Sequence, residues 1–188
     1  MSSPAITYGW GSQHFSKELR VIDEVHSDNP RDQRLMSHRK ATYRVPACVT
    51  INDGPSIEGV IFLQTATRLH EGCESPVEML NRPERFFAVS LPSGGVTLVG
   101  KAQAAVVTCD ASLWEVDPQR RAISRKFRLD IDLIGGQNLC GSAFWELPST
   151  HPRPQDFLNA SEAFFEITEE GMSHCVNRAL VTQVRPFE

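Results

Sequence analysis

Asp130 and Asp132 stand two apart in RKFRLDIDL (125–133). On a strand that spacing puts both carboxylates on one face, where a pair can hold a metal or exchange protons. It is equally the pattern of an amphipathic strand's solvent face, and no histidine lies beside the pair, so the solvent-face reading is preferred. The six histidines (His14, His26, His38, His70, His151 and His174) form neither H-x-x-x-H nor H-E-x-x-H, and His70-Glu71 stands unsupported in a loop. The five cysteines (Cys48, Cys73, Cys109, Cys140 and Cys175) are odd in number, widely spaced and without C-x-x-C. That disfavours a disulfide framework and a zinc site, and they read as buried small apolar residues in a reducing compartment. A nucleophilic thiol needs a nearby base and a lowered pKa, and the sequence names no such pair. No G-x-S-x-G elbow, P-loop or dinucleotide fingerprint occurs. The expectation is a non-enzymatic chain with no catalytic residue, metal or cofactor, leaving open sites assembled only in three dimensions.

Positive charge offers a second chemistry. Arg39, Lys40 and Arg44 in RKATYR, and Arg121 and Arg125 in RRAISRKFR, can contact phosphates. Such contacts position a nucleic acid without reading its sequence. The same residues can instead form a solvated strand start that blunts a sheet edge. Net charge is −4. Residues 1–44 carry seven Lys/Arg against five acids, 45–109 four against six, 110–128 five against three, and 129–188 three against nine. Each basic segment thus precedes a more acidic block, whereas a general nucleic-acid binder is usually more basic overall. Nucleotide or nucleic-acid binding is therefore the alternative reading, not the favoured one.

The elements that must position these residues come twice. PVEMLNRPERFF (76–87) recurs as PQDFLNASEAFF (154–165). Downstream, VGKAQAAVV (99–107) aligns with VNRALVTQV (176–184), placing Lys101 on Arg178. Between them, SLPSGGVTL (90–98) and TEEGMSH (168–174) each hold a glycine turn. Upstream, ACVTINDGPSIEGVIF (47–62) resembles RLDIDLIGGQNLCGSAF (128–144), with Gly59 and Gly141 in matching stretches. Each copy reads as strand, turn, strand, variable loop, helical turn, strand, tight turn, strand, from period-2 alternation and β-branched or aromatic content. VTLVGKAQAAVV reads as one long strand with a bulge or close backbone approach at Gly100.

Within the repeated motif, Pro76 and Pro154 suit the first turn of a helix, where no N–H is needed. Ser75 and Glu78 form a capping-box pattern. Leu80 and Leu158 point inward. Asn81 and Asn159 read as left-handed helix terminators rather than ligands. Of each Phe pair, one ring should face the core and the other the outside or a neighbouring module. Phe86, Phe87, Phe164 and Phe165 are thus candidate interface residues, with Trp114, which reads as a clasp in the linker.

The stretch RLHEGCESPVEMLNRPERFFAVSLPSGGVTLVGKAQAAVV resembles a family of short bacterial Sm-like β-modules, with a glycine hairpin, an LLN…RF-like centre and a closing strand. The first copy matches over about sixty residues, and the second, which lacks the RLHEG loop, matches more loosely. The resemblance implies small, strongly bent five-strand barrels in tandem, like a covalent dimer whose halves pair edge to edge and so hide aggregation-prone edges. It implies no activity, and neither Sm RNA-binding motif is present. RAISR (121–125) also resembles the R-x-x-x-R of PilZ domains, which implies cyclic di-GMP binding. RKATYR is one residue too long, and the D/N-x-S-x-x-G motif is missing from both copies.

The expected fold is mainly β: an N-terminal extension over 1–40, partly helical, a first β-module over 41–109, a connector over 110–122 and a second β-module over 123–188. No stretch approaches the roughly 18 apolar residues of a membrane span, and the N-terminus lacks a signal-like apolar run, so a cytoplasmic location is expected. The expected role is non-catalytic binding or assembly, with a protein partner or as a homo-oligomer, through β-edges and aromatic faces.

Overall fold

In a computed structural model that describes residues 42–65, 73–113, 124–145 and 153–187, the alternating stretches become ten antiparallel strands. The first half supplies β1 (Thr42–Ile51), β2 (Ser56–Gln64), β3 (Phe86–Ser90), β4 (Val96–Gly100) and β5 (Ala104–Asp110), with helix α1 (Pro76–Asn81) after β2. The second half supplies β6 (Arg125–Leu133), β7 (Asn138–Trp145), β8 (Phe164–Glu169), β9 (Met172–Asn177) and β10 (Val181–Phe187), with α2 (Pro154–Ala160) after β7. The expected N-terminal extension, Arg39, Lys40, Trp114 and Arg121 lie outside the described residues. Among the described residues no helix is long and apolar enough to cross a membrane.

The repeat is one of register as well as of sequence. Ala47 faces Gly59 as Leu129 faces Gly141, and Val60 meets Ser90 as Ser142 meets Thr168. The β1–β5 and β6–β10 ladders skip one residue at the same place, Ala105 and Thr182. Gly59 is required by crowding where β2 crosses β3: a Cβ there would lie 2.5 Å from the Ser90 carbonyl oxygen. At Gly141 the same added atom would meet the Ile167 side chain at 3.1 Å.

The expected pair of small barrels gives way to one continuous, open sheet. Its strand order is β10-β6-β7-β8-β9-β5-β1-β2-β3-β4. Neither half closes on itself, because the outer edge of β9 is taken by β5 of the other half. Val106 pairs with Val176, Val107 with Cys175, Thr108 with His174 and Cys109 with Ser173. The halves therefore meet edge to edge. Their cores interlock across the seam: Phe164 and Cys175 pack with the first half's Val49, Leu80 and Val107. Ala105 and Val106 pack in return with Leu129, Ile131 and Phe165.

Two local expectations are corrected. Residues 96–107 are not one bulged strand; a 3-10 turn at Lys101–Gln103 separates β4 from β5 and lets the chain cross from one edge of its half to the other. Asn81 and Asn159 are not left-handed, since the non-glycine residues with positive φ among those described are Asp53 and Glu170. The Lys101 ammonium instead ties the end of α1, donating to the carbonyls of Met79 (3.0 Å) and Arg82 (2.8 Å). Arg178 does the same for α2, on the carbonyls of Leu158, Asn159 and Ser161. The helix starts are as expected. The Ser75 hydroxyl accepts from the Glu78 N–H at 3.3 Å, and the Glu78 carboxylate accepts from the Ser75 N–H at 2.7 Å, behind Pro76.

Candidate functional site

Apart from Arg125, the described charged residues with the most obvious chemistry are engaged within the fold. The Arg44 guanidinium lies 5.9 Å from the centre of the Phe62 ring, and Lys126, its equivalent in the second half, lies 6.0 Å from the Phe144 ring. A cation held over a ring gains attraction from the ring's negative face. Arg125 is exposed at the start of β6, opposite Trp145. Asp130 and Asp132 share a face with Arg185 of β10, at 2.9 and 2.8 Å, and both accept from the Asn138 amide. The Asn138 and Arg185 hydrogen bonds hold both carboxyls below their ordinary range. Glu74 is buried; its carboxylate pairs with Arg82 and accepts from the Gln64 N–H at 2.8 Å.

The expectation of buried cysteines holds for two of the five and is corrected for the others. Cys109 and Cys175 are buried at the seam, Cys48 and Cys73 are partly exposed, and Cys140 is exposed. Desolvation pushes the Cys109 thiol up to about 12 and the Cys175 thiol well above its ordinary value. Neither is therefore a thiolate at neutral pH.

The most elaborate polar arrangement lies at the seam. The Asn81 side chain, at the end of α1, reaches the other half: its amide donates to the Phe164 carbonyl at 2.9 Å, and its oxygen accepts from the Phe164 N–H at 2.8 Å. Phe164 starts β8, so Asn81 serves as one residue of an absent neighbouring strand. The Asn177 amide donates to the carbonyls of Lys101 (3.1 Å) and Ala104 (3.0 Å). Thr108 Oγ1 and His174 Nδ1 are 3.0 Å apart across the β5–β9 ladder. A cleft of about 400 Å³ opens beside the Asn81–Phe164 contact, lined among others by Val77, Phe157, Ser161 and Thr168.

The sheet ends at β4 and at β10, and the repeat makes each the equivalent of a seam strand. Strand β4 corresponds to β9, and β10 to β5. What the seam buries, the ends expose. Phe86, Val96 and Leu98 are 61, 62 and 69% exposed, while their equivalents Phe164, Ser173 and Cys175 are 3, 0 and 0% exposed. At the other end, Leu158, Val181 and Val184 are only partly buried against the second core. Their equivalents Leu80, Ala104 and Val107 are fully covered. Among the described residues, therefore, nothing covers the second half at the place where Phe164 and Cys175 cover the first.

Of the aromatic candidates, Phe86 is exposed, Phe87 and Phe165 lie in the cores of their own halves, and Phe164 is buried in the core of the other half. The exposure of Val96 and Leu98 was not legible in VTLVG, where apolar residues on a strand read as core-facing. Nor was the reach of Asn81: its partner is 83 residues away, and no local pattern marks such a contact. Compared with protein-family models, curated proteins and solved structures, the chain matches none.

Proposed function

We propose that the chain is a non-catalytic assembly module that self-associates head to tail, the free β4 edge of one copy pairing with the free β10 edge of the next. The observation that supports this is the equivalence of seam and ends: the chain already contains one such junction, and each end carries one half of it that no described strand fills. Carrying the seam register outward sets Val99 opposite Gln183, Leu98 opposite Val184 and Thr97 opposite Arg185 of the next copy. Leu98 and Phe86 then cover the apolar gap at Leu158, Val181 and Val184. Pro186 has no N–H, so at that position the ladder carries at most a carbonyl contact. A junction of this kind is heterologous, and repetition gives a ring if its rotation closes and a filament if it does not.

Leu98→Lys tests the reading, because a charge on an edge opposes strand addition while leaving the cores untouched. Light scattering on the eluting wild type should give a mass above 21.0 kDa, rising with concentration, and Leu98→Lys should elute as a monomer with an unchanged circular-dichroism spectrum. A wild type that stays monomeric up to millimolar concentration rejects self-association. A wild-type peak with excess absorbance at 260 nm would instead favour the basic segments and nucleic acid.

A further inference from the structure

The seam contains a second contact besides the strand ladder, and its outward counterpart is also unfilled. Asn81 grips both backbone groups of Phe164. The repeat places Asn159 where Asn81 stands, at the end of a proline-started helix, and Phe86 where Phe164 stands, as the first residue of its strand. The ladders agree, with Phe86 opposite Gly100 and Phe164 opposite Asn177. Asn159 is exposed, and among the described residues no partner holds its side-chain amide. No described side chain does for Phe86 what Asn81 does for Phe164.

Resting on the head-to-tail reading, we infer that Asn159 of one copy grips the backbone of Phe86 in the next, its amide donating to the Phe86 carbonyl and its oxygen accepting from the Phe86 N–H. The occupant of this surface is a second copy of the same chain, because the contact must combine with the β4–β10 ladder and with the Phe86 ring over Leu158. A bare edge pairs in several registers, and the favoured one is decided by contacts that only one register can make. Asn159 supplies such a contact. It adds two hydrogen bonds when Phe86 falls at the end of α2, and none after a slip of one residue. The second seam amide has no outward counterpart, since Gly100 holds the place of Asn177. That leaves Asn159 as the side-chain amide of the outer junction.

The test compares full-length wild type, Asn159→Ala, Asn159→Asp and Leu98→Lys by light scattering over a concentration series, with amide hydrogen exchange read at Phe86 and across Thr97–Val99. Two net hydrogen bonds correspond to roughly tenfold to a hundredfold in affinity. Asn159→Ala should weaken association by that factor with its dilute-solution circular dichroism unchanged. Asn159→Asp, which loses the donor and sets a carboxylate against a carbonyl, should weaken it further. In the wild type, association should slow exchange at Phe86 as well as along β4. In Asn159→Ala at raised concentration, β4 should still be protected and Phe86 should not. A wild type that assembles through β4 with affinity and Phe86 protection unchanged in Asn159→Ala overturns the Asn159 contact and leaves head-to-tail assembly standing. A wild type that never exceeds 21.0 kDa overturns both.

Discussion

Asn81 and Asn159 occupy one position of one repeat in opposite surroundings, which makes their alanine variants a controlled pair. At Asn81 the side chain makes hydrogen bonds of 2.8 and 2.9 Å to a residue that is 3% exposed. Each such bond contributes about 1 kcal/mol net, and stranding a buried N–H or carbonyl costs about 1–3 kcal/mol. Asn81→Ala leaves both groups of Phe164 without that partner, and water reaching the adjacent cleft offsets part of the penalty, so the expected loss is about 2–4 kcal/mol. Asn159→Ala removes an exposed amide with no described partner, and surface changes of that kind fall within about 0.5 kcal/mol. The assay is equilibrium urea unfolding followed by circular dichroism, at concentrations low enough that the outer edges stay unpaired. The midpoint should fall for Asn81→Ala and hold for Asn159→Ala, with similar slopes. If the two variants unfold within about 0.5 kcal/mol of each other, the seam does not depend on Asn81, and the extrapolation from seam to ends loses its physical basis.

Two further outcomes follow from the same geometry. Gly59→Ala drives a Cβ to 2.5 Å from a backbone oxygen, and overpacking of this kind costs about 1–3 kcal/mol. Gly141→Ala meets the Ile167 side chain at 3.1 Å instead, a smaller overlap, so urea midpoints should fall further for the first variant, and equal midpoints would contradict the crowding argument. Burial lowers the His174 pKa, so the folded state binds its proton less readily than the unfolded state does. The stability tied to neutral His174 is therefore complete above the ordinary value of about 6.5 and is lost as pH falls from there through the lowered folded value. Urea stability of wild type should drop more steeply than that of His174→Gln between about pH 7 and about pH 5; parallel curves would refute the assignment.

Much of the local structure was legible in the chain. Alternation in CVTI and FRLDIDL sets strand faces, because successive side chains on a strand point oppositely. Ser75, Pro76 and Glu78 announce α1, because a helix start needs acceptors for its free N–H groups and tolerates proline there. The doubled motif showed two like halves, and the edge-to-edge meeting that the resemblance implied is the β5–β9 ladder. Reading Asn81 and Asn159 as left-handed terminators went astray because the helix carbonyls are satisfied by Lys101 and Arg178, from about 20 residues downstream. Local sequence cannot show which distant donor will reach a helix end.

The sequence by itself determined the strands, the short proline-started helices and the twofold plan, since these depend on neighbours within a few residues. Only the tertiary structure decided that the halves share one open sheet, that Phe164 is buried in the other half while Phe86 is exposed, and that Asn81 is engaged while Asn159 has no described partner. The physical reason is position within the sheet. Two copies of one motif carry the same pairing groups, but in a finite row of strands only the inner copy of each edge finds its partner, and the outer copies face outward.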